Sequence, residues 1–148
     1  MRVLGVSLTA LLIAGMSPAA DKPYPIFTAK HFTDSMKLLG PNFAGVNSAL
    51  ARNDFEGAKA RLIRSREVLA ITITFWRDRH NDAAITALRD TLSRMDALDT
   101  MLSADRVDAN AAAAQLTQIG AGCSGCHDMY RDTVPGEKGY RFKEGLAR

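Results

Sequence analysis

Residues 109–130, ANAAAAQLTQIGAGCSGCHDMY, decide the fold that we predict for this chain. Apolar and small side chains recur along them at alternating steps of three and four, which is the spacing of one face of an α-helix. The positions concerned are Ala109, Ala112, Leu116, Ile119, Cys123, Cys126 and Tyr130. The stretch therefore predicts an amphipathic helix that carries both cysteines of the chain on its inward face.

Three earlier stretches repeat the same helical spacing, and the chain shows no strand-like alternation. The first stripe is Phe32, Met36, Leu39, Phe43, Val46 and Leu50. The second is Phe55, Ala58, Leu62, Ser65, Leu69, Thr72 and Trp76. The third is Ile85, Leu88, Leu92, Met95, Leu98 and Leu102. Gly40-Pro41 interrupts the first stripe, so this helix is either kinked or divided in two, and we favour a kink because the stripe continues in register.

Short polar breaks separate the four stripes. They lie at Asn53-Asp54, at His80 to Asp82 and at Ser103 to Asp108. Asn53 or Asp54 can cap the second helix, and Asp108 can cap the fourth. Because short connections make consecutive helices antiparallel, the sequence predicts an all-α, antiparallel up-down-up-down four-helix bundle.

The first 20 residues are predicted to be a cleaved secretory signal peptide. Arg2 precedes an apolar run from Val3 to Gly15, which ends in the small residues Ser17-Pro18-Ala19-Ala20. The run is shorter than the roughly 20 residues of a membrane-spanning helix, although an uncleaved anchor is the alternative. Cleavage follows Ala19 or Ala20. The predicted organisation is a signal peptide over 1–20, one domain over 21–132 and a tail over 133–148.

Charge and hydropathy exclude several classes of partner for the exported chain. The formal net charge of the 148 residues is +3, and Arg2 is the only charged residue of the signal peptide. Lysines and arginines alternate with acids, as on a solvated surface, so no nucleic-acid partner is expected. No second apolar segment is long enough to cross a membrane, so no membrane span is expected after cleavage.

The motif Cys123-Ser124-Gly125-Cys126-His127 is typical of covalent haem attachment. Two thiols three residues apart on a helix can each bond a vinyl group of the haem, and His127 is then placed to bind the iron. This chemistry requires export, which agrees with the predicted signal peptide. Apolar walls would come from the other stripes, although each candidate is equally explicable as ordinary core; the candidates are Phe32, Leu39, Phe43, Leu69, Phe75 and Trp76.

Three other interpretations of the two cysteines remain at this point. They could form a disulfide in an oxidising compartment. They could form a thioredoxin-like redox pair, although that site normally follows a strand. They could bind zinc, for which only His31 and His80 remain as further candidates outside the motif, neither at ligand spacing. The last two interpretations describe a haem-free thiol or interaction module.

The segment from Ile119 to Arg131, on the last of four helices, resembles the cytochrome c prime family, the class II c-type cytochromes. The resemblance covers roughly Thr28 to Arg131 and implies one haem c inside the bundle, with Arg131 near its proximal face. The segment Ser35 to Gly40 matches the family's distal register. The match implies that Met36 is the second iron ligand, as in the low-spin, methionine-ligated branch.

Other roles for Met36 stay open. It could be an ordinary core residue, or it could line the distal pocket of a five-coordinate, high-spin member that binds or senses nitric oxide or carbon monoxide. Met95 and Met101 are the alternative ligands, and His31 is expected at the surface. The resemblance also implies a homodimer formed through the first two helices, for which Ile63 and Phe75 are candidates.

The chain departs from the family at two places. The family often has an arginine near a haem propionate where this chain has Phe32, so another cation is needed, with Lys30, Arg61 and Arg66 as candidates. The tail extends past the family pattern, and its Tyr140 and Phe142 either fold back over the haem edge or belong to a flexible segment. Together these features predict a soluble periplasmic or otherwise exported electron-transfer protein, not an enzyme, that exchanges electrons with exported redox partners.

Overall fold

The computed structural model describes residues 28–133 and 139–146, so the predicted signal peptide lies outside the described residues. The described chain is mostly helical, which confirms the all-α class. Its helices are α1 (Ala29–Leu50), α2 (Phe55–Ile71), α3 (Ile73–Arg77), α4 (Asp82–Leu102) and α5 (Ala109–Tyr130). Two short strands follow, β1 (Arg131–Thr133) and β2 (Tyr140–Phe142).

Side-chain caps fix the starts of the long helices near the predicted breaks. Asp54 accepts a hydrogen bond at 2.9 Å from the first turn of α2, and Asp108 accepts two from the first turn of α5. Asn81 does the same for α4 at 3.0 Å. Asn53 instead adopts a positive φ of 56°, which lets the chain turn between α1 and α2.

The structure decides one open question about the helices and adds one feature that was not predicted. Pro41 lies inside α1, which runs as one helix through this position, so the two-piece alternative is wrong. The second predicted helix is divided at Thr72, whose N–H and hydroxyl both donate to the carbonyl of Leu69. This three-residue spacing tightens the backbone there, and the chain continues as α3.

The helices pack in pairs around one core. α1 packs along α2, α4 packs along α5, and α4 also contacts α2 and α3, while α1 contacts α5. Every residue of the four predicted stripes is buried or half-buried, which confirms the inward faces. The fully buried positions include Val46, Leu62, Met95, Leu98 and Ile119.

The strand pair at the chain end was not predicted, because the sequence shows no strand-like alternation there. β1 and β2 pair antiparallel, with Arg131 opposite Phe142 and Asp132 opposite Arg141. Strands of three residues are too short for a two-residue periodicity to be recognised in sequence. The pair spans the expected boundary between the domain and its tail. Within the described ranges, no helix is both long enough and apolar enough to cross a membrane.

Candidate functional site

A cavity of about 670 Å³ lies between the helices at the end of the core that carries Phe32, Met36 and Cys123. Its lining comes from all five helices and from the strand pair. The volume lies within the roughly 300–1,000 Å³ usual for sites that bind small molecules and cofactors. Most of its walls are aromatic or aliphatic, so it suits a large apolar ligand.

Both cysteines of the haem-type motif line this cavity from α5. Cys123 and Cys126 are half-buried, and neither is bonded to the other in the structure. Burial raises the pKa of both thiols, and the pKa of Cys123 is raised further by the neighbouring Cys126. The three-residue spacing within one helix brings both sulfur atoms to the same wall.

His127 lines the cavity immediately beyond the cysteines. It is half-buried, and this burial lowers the pKa of its imidazole, with a further lowering by Arg131 and an opposing effect of Asp128. The neutral imidazole is therefore favoured near neutral pH. That is the protonation state in which histidine binds a metal ion.

Met36 is the methionine that faces the same cavity from α1. Among the other methionines of the described ranges, Met95 is fully buried in the core, and Met101 and Met129 are exposed; none of these three lines the cavity. The structure thus brings together the motif on α5 and the thioether that the family resemblance singles out. Neither of the alternative iron ligands, Met95 and Met101, lines the cavity.

Five of the six predicted apolar wall residues line the cavity. They are Phe32, Leu39, Phe43, Leu69 and Trp76. Phe75 does not line it, because its side chain is turned into an aromatic cluster with Phe32, Trp76 and Phe142 and is fully buried there. Phe75 is consequently also wrong as a surface residue for dimer contact, whereas Ile63 is 44% exposed.

The tail folds back onto the site. The ring of Phe142 lies 5.1 Å from that of Phe32, and Tyr140 lies beneath the guanidinium of Arg131 at 3.9 Å. The backbone N–H of Lys143 also donates to the carbonyl of Tyr130. Of the two alternatives for Tyr140 and Phe142, the structure supports packing against the cavity.

The cations of the cavity are only partly those that the sequence suggested. Arg131 lines it as expected, but Lys37 and Arg141 line it without having been predicted. Lys30, Arg61 and Arg66 do not line it; Lys30 is paired with Asp34, and Arg66 with Asp96. The helical register of Lys37 next to Met36 was a usable signal, whereas the strand pair that places Arg141 was not visible in the sequence.

Gly122 allows α5 to approach α4 closely beside the motif. A Cβ at this position would lie 2.6 Å from the hydroxyl oxygen of Thr91, which also lines the cavity. Thr91 is buried and donates to the carbonyl of Ala87 at 2.9 Å. The sequence showed small residues before Cys123 but not what they pack against.

The structure bears on the other interpretations of the cysteines. The motif lies deep within α5 rather than after a strand, which is not the setting of a thioredoxin-like pair. In the described part of the chain, no three or more His, Cys, Asp or Glu side chains come together as a metal-binding cluster. Comparison of the chain with protein-family models, curated proteins and solved structures found no match.

Proposed function

We propose that this chain is an exported mono-haem c-type cytochrome that transfers single electrons between exported redox partners. One observation carries the proposal. Cys123, Cys126, His127 and Met36, from the last helix and the first, line a single apolar cavity of cofactor size.

The chain's own groups fit this cofactor. Cys123 and Cys126 are free thiols on one wall and would hold the haem as thioethers. His127 is held neutral by burial and would be the proximal ligand, with the Met36 thioether as the distal one. Bound haem iron supplies a one-electron redox couple, and thioether ligation raises its potential relative to two histidines. The largely apolar walls would limit the access of water to a bound haem.

The proposed architecture is the antiparallel four-helix bundle of the low-spin branch of the cytochrome c prime family. Its support is the pairing of α1 with α2 and of α4 with α5, joined by short connections. α2 and α3 together take the place of the second helix. The signal-like residues 1–20 support export, because covalent haem attachment of this kind takes place outside the cytoplasm.

The absorption spectrum of the reduced protein, matured in a host that attaches haem c, tests the function. We expect sharp low-spin bands, because His127 and Met36 would together complete the coordination of the iron. Met36→Ala removes the thioether and should convert the spectrum to high-spin. The matched control is Met101→Ala, which removes an exposed methionine outside the cavity and should leave the bands unchanged.

Each alternative result has a distinct meaning. A high-spin spectrum of the unmodified protein would contradict electron transfer and favour the five-coordinate, gas-binding function. Low-spin bands that persist in Met36→Ala would assign the distal ligand to another residue. A protein without haem absorbance would overturn the proposal.

A further inference from the structure

The charged side chains of the described cavity lining are all cationic. Of the described lining residues, Lys37 on α1, Arg131 on β1 and Arg141 on β2 carry positive charges, and none is an aspartate or a glutamate. The remaining walls are largely apolar. A ligand that satisfies both features combines a large apolar body with anionic groups, because a cation at the edge of an apolar cavity is stabilised by an opposite charge.

Two of these cations are partly engaged within the chain. The guanidinium of Arg131 lies over the ring of Tyr140 at 3.9 Å. Lys37 Nζ lies 3.7 Å from a carboxylate oxygen of Asp34. That carboxylate is shared with Lys30, so the charge of Lys37 is only partly compensated.

Among the described residues, Arg141 is the lining cation with neither an ion-pair partner nor an aromatic ring against its guanidinium. Its side chain is exposed at the mouth of the cavity, and it makes no ion pair with any carboxylate of the described residues. Asp132 lies opposite it across the strand pair. The next residue, Phe142, packs its ring 5.1 Å from Phe32 and 5.2 Å from Phe75, which fixes β2 at the cavity.

We infer that Arg141 binds the propionate carboxylates of the haem at the mouth of the cavity, with Lys37 as the second cation from α1. The inference rests on the proposed function. A guanidinium matches a carboxylate with two parallel N–H groups, and such charge-assisted bonds are about twice as strong as neutral ones. The tail past the helical core would thus be part of the cofactor site.

The pH dependence of the reduction potential of the haem-loaded protein tests this role. An ionising propionate changes the potential, so its pKa appears as an inflection. Arg141→Gln should move that inflection to higher pH by about 1 unit, because an adjacent cation lowers a carboxyl pKa by about 1–3 units. Arg141→Lys keeps the charge and should stay close to the unmodified protein.

Arg52→Gln is the matched control. Arg52 is exposed in the turn after α1 and does not line the cavity, so Arg52→Gln removes one positive charge away from the proposed haem site. All variants keep the other charged or titratable side chains that the described residues place at this edge, which are Asp34, Lys37, His127, Tyr130, Arg131, Asp132 and Tyr140.

The possible outcomes separate this inference from the proposed function. A shift in Arg141→Gln that is absent from Arg52→Gln supports it. Equal inflections in the two variants, with haem attached, overturn the role of Arg141 and leave the proposed function standing. A protein that attaches no haem overturns both. Far-UV circular dichroism of Arg141→Gln shows whether a shift comes from an intact fold, and a shift that accompanies lost helix counts against the inference.

Discussion

Gly122 stands one residue before the first cysteine, where α5 lies against Thr91 of α4. The space that a side chain would need there is filled by the hydroxyl group of Thr91. Thr91 is β-branched, buried and hydrogen-bonded to its own helix, so it cannot rotate away freely. The position of Cys123 in the cavity therefore depends on the lack of a Cβ at Gly122.

Gly122→Ala should lower the free energy of unfolding by about 1–2 kcal/mol, since it overpacks a fixed contact. Gly120→Ala is the matched control, because nothing lies within 4 Å of a Cβ at that position. It should raise stability by about 0.5–1 kcal/mol, the usual gain of alanine over glycine within a helix. Denaturant unfolding of both variants measures the difference.

The double variant Gly122→Ala, Thr91→Ala checks the cause. Removing the hydroxyl should restore most of the stability lost in Gly122→Ala. A double variant that is no more stable than the sum of its single variants would show that the contact with Thr91 is not the reason.

At the residue scale, the sequence predicted which side chains lie on a common face wherever a single helix decides it. The spacing of Cys123, Cys126 and His127 predicted that they share one end of α5, whereas Met36 was singled out by the family resemblance and not by the register of α1 alone. Arg141 could not be predicted, because its place depends on a strand pair formed by the tail. Phe75 could not be separated from Trp76 as a wall residue, since neighbouring aromatic side chains on a short helix differ only in tertiary packing.

At the scale of elements, the strand pair is the feature that joins the tail to the helices. Its anchor is Phe142, whose ring contacts those of Phe32, Phe75 and Trp76. Aromatic pairs of this kind contribute about 0.5–1.5 kcal/mol beyond the area that they bury.

Phe142→Ala should lower the free energy of unfolding by about 1–3 kcal/mol, less than the ~3–5 kcal/mol of a fully buried phenylalanine, because Phe142 is half-buried. Tyr140→Ala, on the same strand, is the control. Tyr140 is 58% exposed, so Tyr140→Ala should lower the free energy of unfolding by less than Phe142→Ala does. Thermal unfolding of the two variants compares them, and equal losses would contradict the anchoring role of Phe142.

A second contact between elements joins α2 to α4. Arg66 donates to both carboxylate oxygens of Asp96, and this guanidinium holds the pKa of the Asp96 carboxyl below its ordinary value. A lowered carboxyl pKa contributes stability above the unfolded pKa of about 3.9, and that contribution is lost as the pH falls through the lowered value.

Arg66→Gln should return the pKa of Asp96 towards its ordinary value, as measured by NMR titration of the carboxyl group. Arg64→Gln is the control, since Arg64 pairs with Glu67 inside α2 and does not reach α4. An Asp96 titration that is unchanged in Arg66→Gln would show that the interhelical pair does not form in solution.

The long helices could be predicted from the sequence, whereas the short elements could not. Four stripes of about 20 residues predicted the helical faces, and Asp54 and Asp108 predicted two helix starts from cap chemistry alone. The division at Thr72 was not predictable, because the apolar stripe runs through it unchanged. The helix is interrupted there by one tighter backbone turn, and a hydrophobic pattern does not reveal such a turn.

Over the whole molecule, the core changes character from one end to the other. Stripe residues such as Val46, Leu62 and Leu98 are fully buried at the packed end, whereas Met36, Cys123 and Tyr130 are half-buried around the cavity. The sequence predicts the same stripe at both ends. Only the structure shows that the side chains at one end leave about 670 Å³ between the helices.

This difference explains why the helical class and the inward faces were predictable while the completed cavity was not. Helical periodicity specifies which side chains face inward, but the space between helices depends on how all of them pack at once. The cationic mouth depends in addition on the tail, which has no periodic signal of its own. The central claim is therefore that this cavity carries a haem bound covalently through α5.

A haem-stained denaturing gel of the protein matured in an export-competent host tests that claim most directly, together with the intact mass of the same sample. We predict that stain stays on the polypeptide and that its mass exceeds that of the chain by one haem. The variant Cys123→Ala, Cys126→Ala should carry no stain. A polypeptide without stain and without added mass, from cells that load other c-type cytochromes, would contradict the claim.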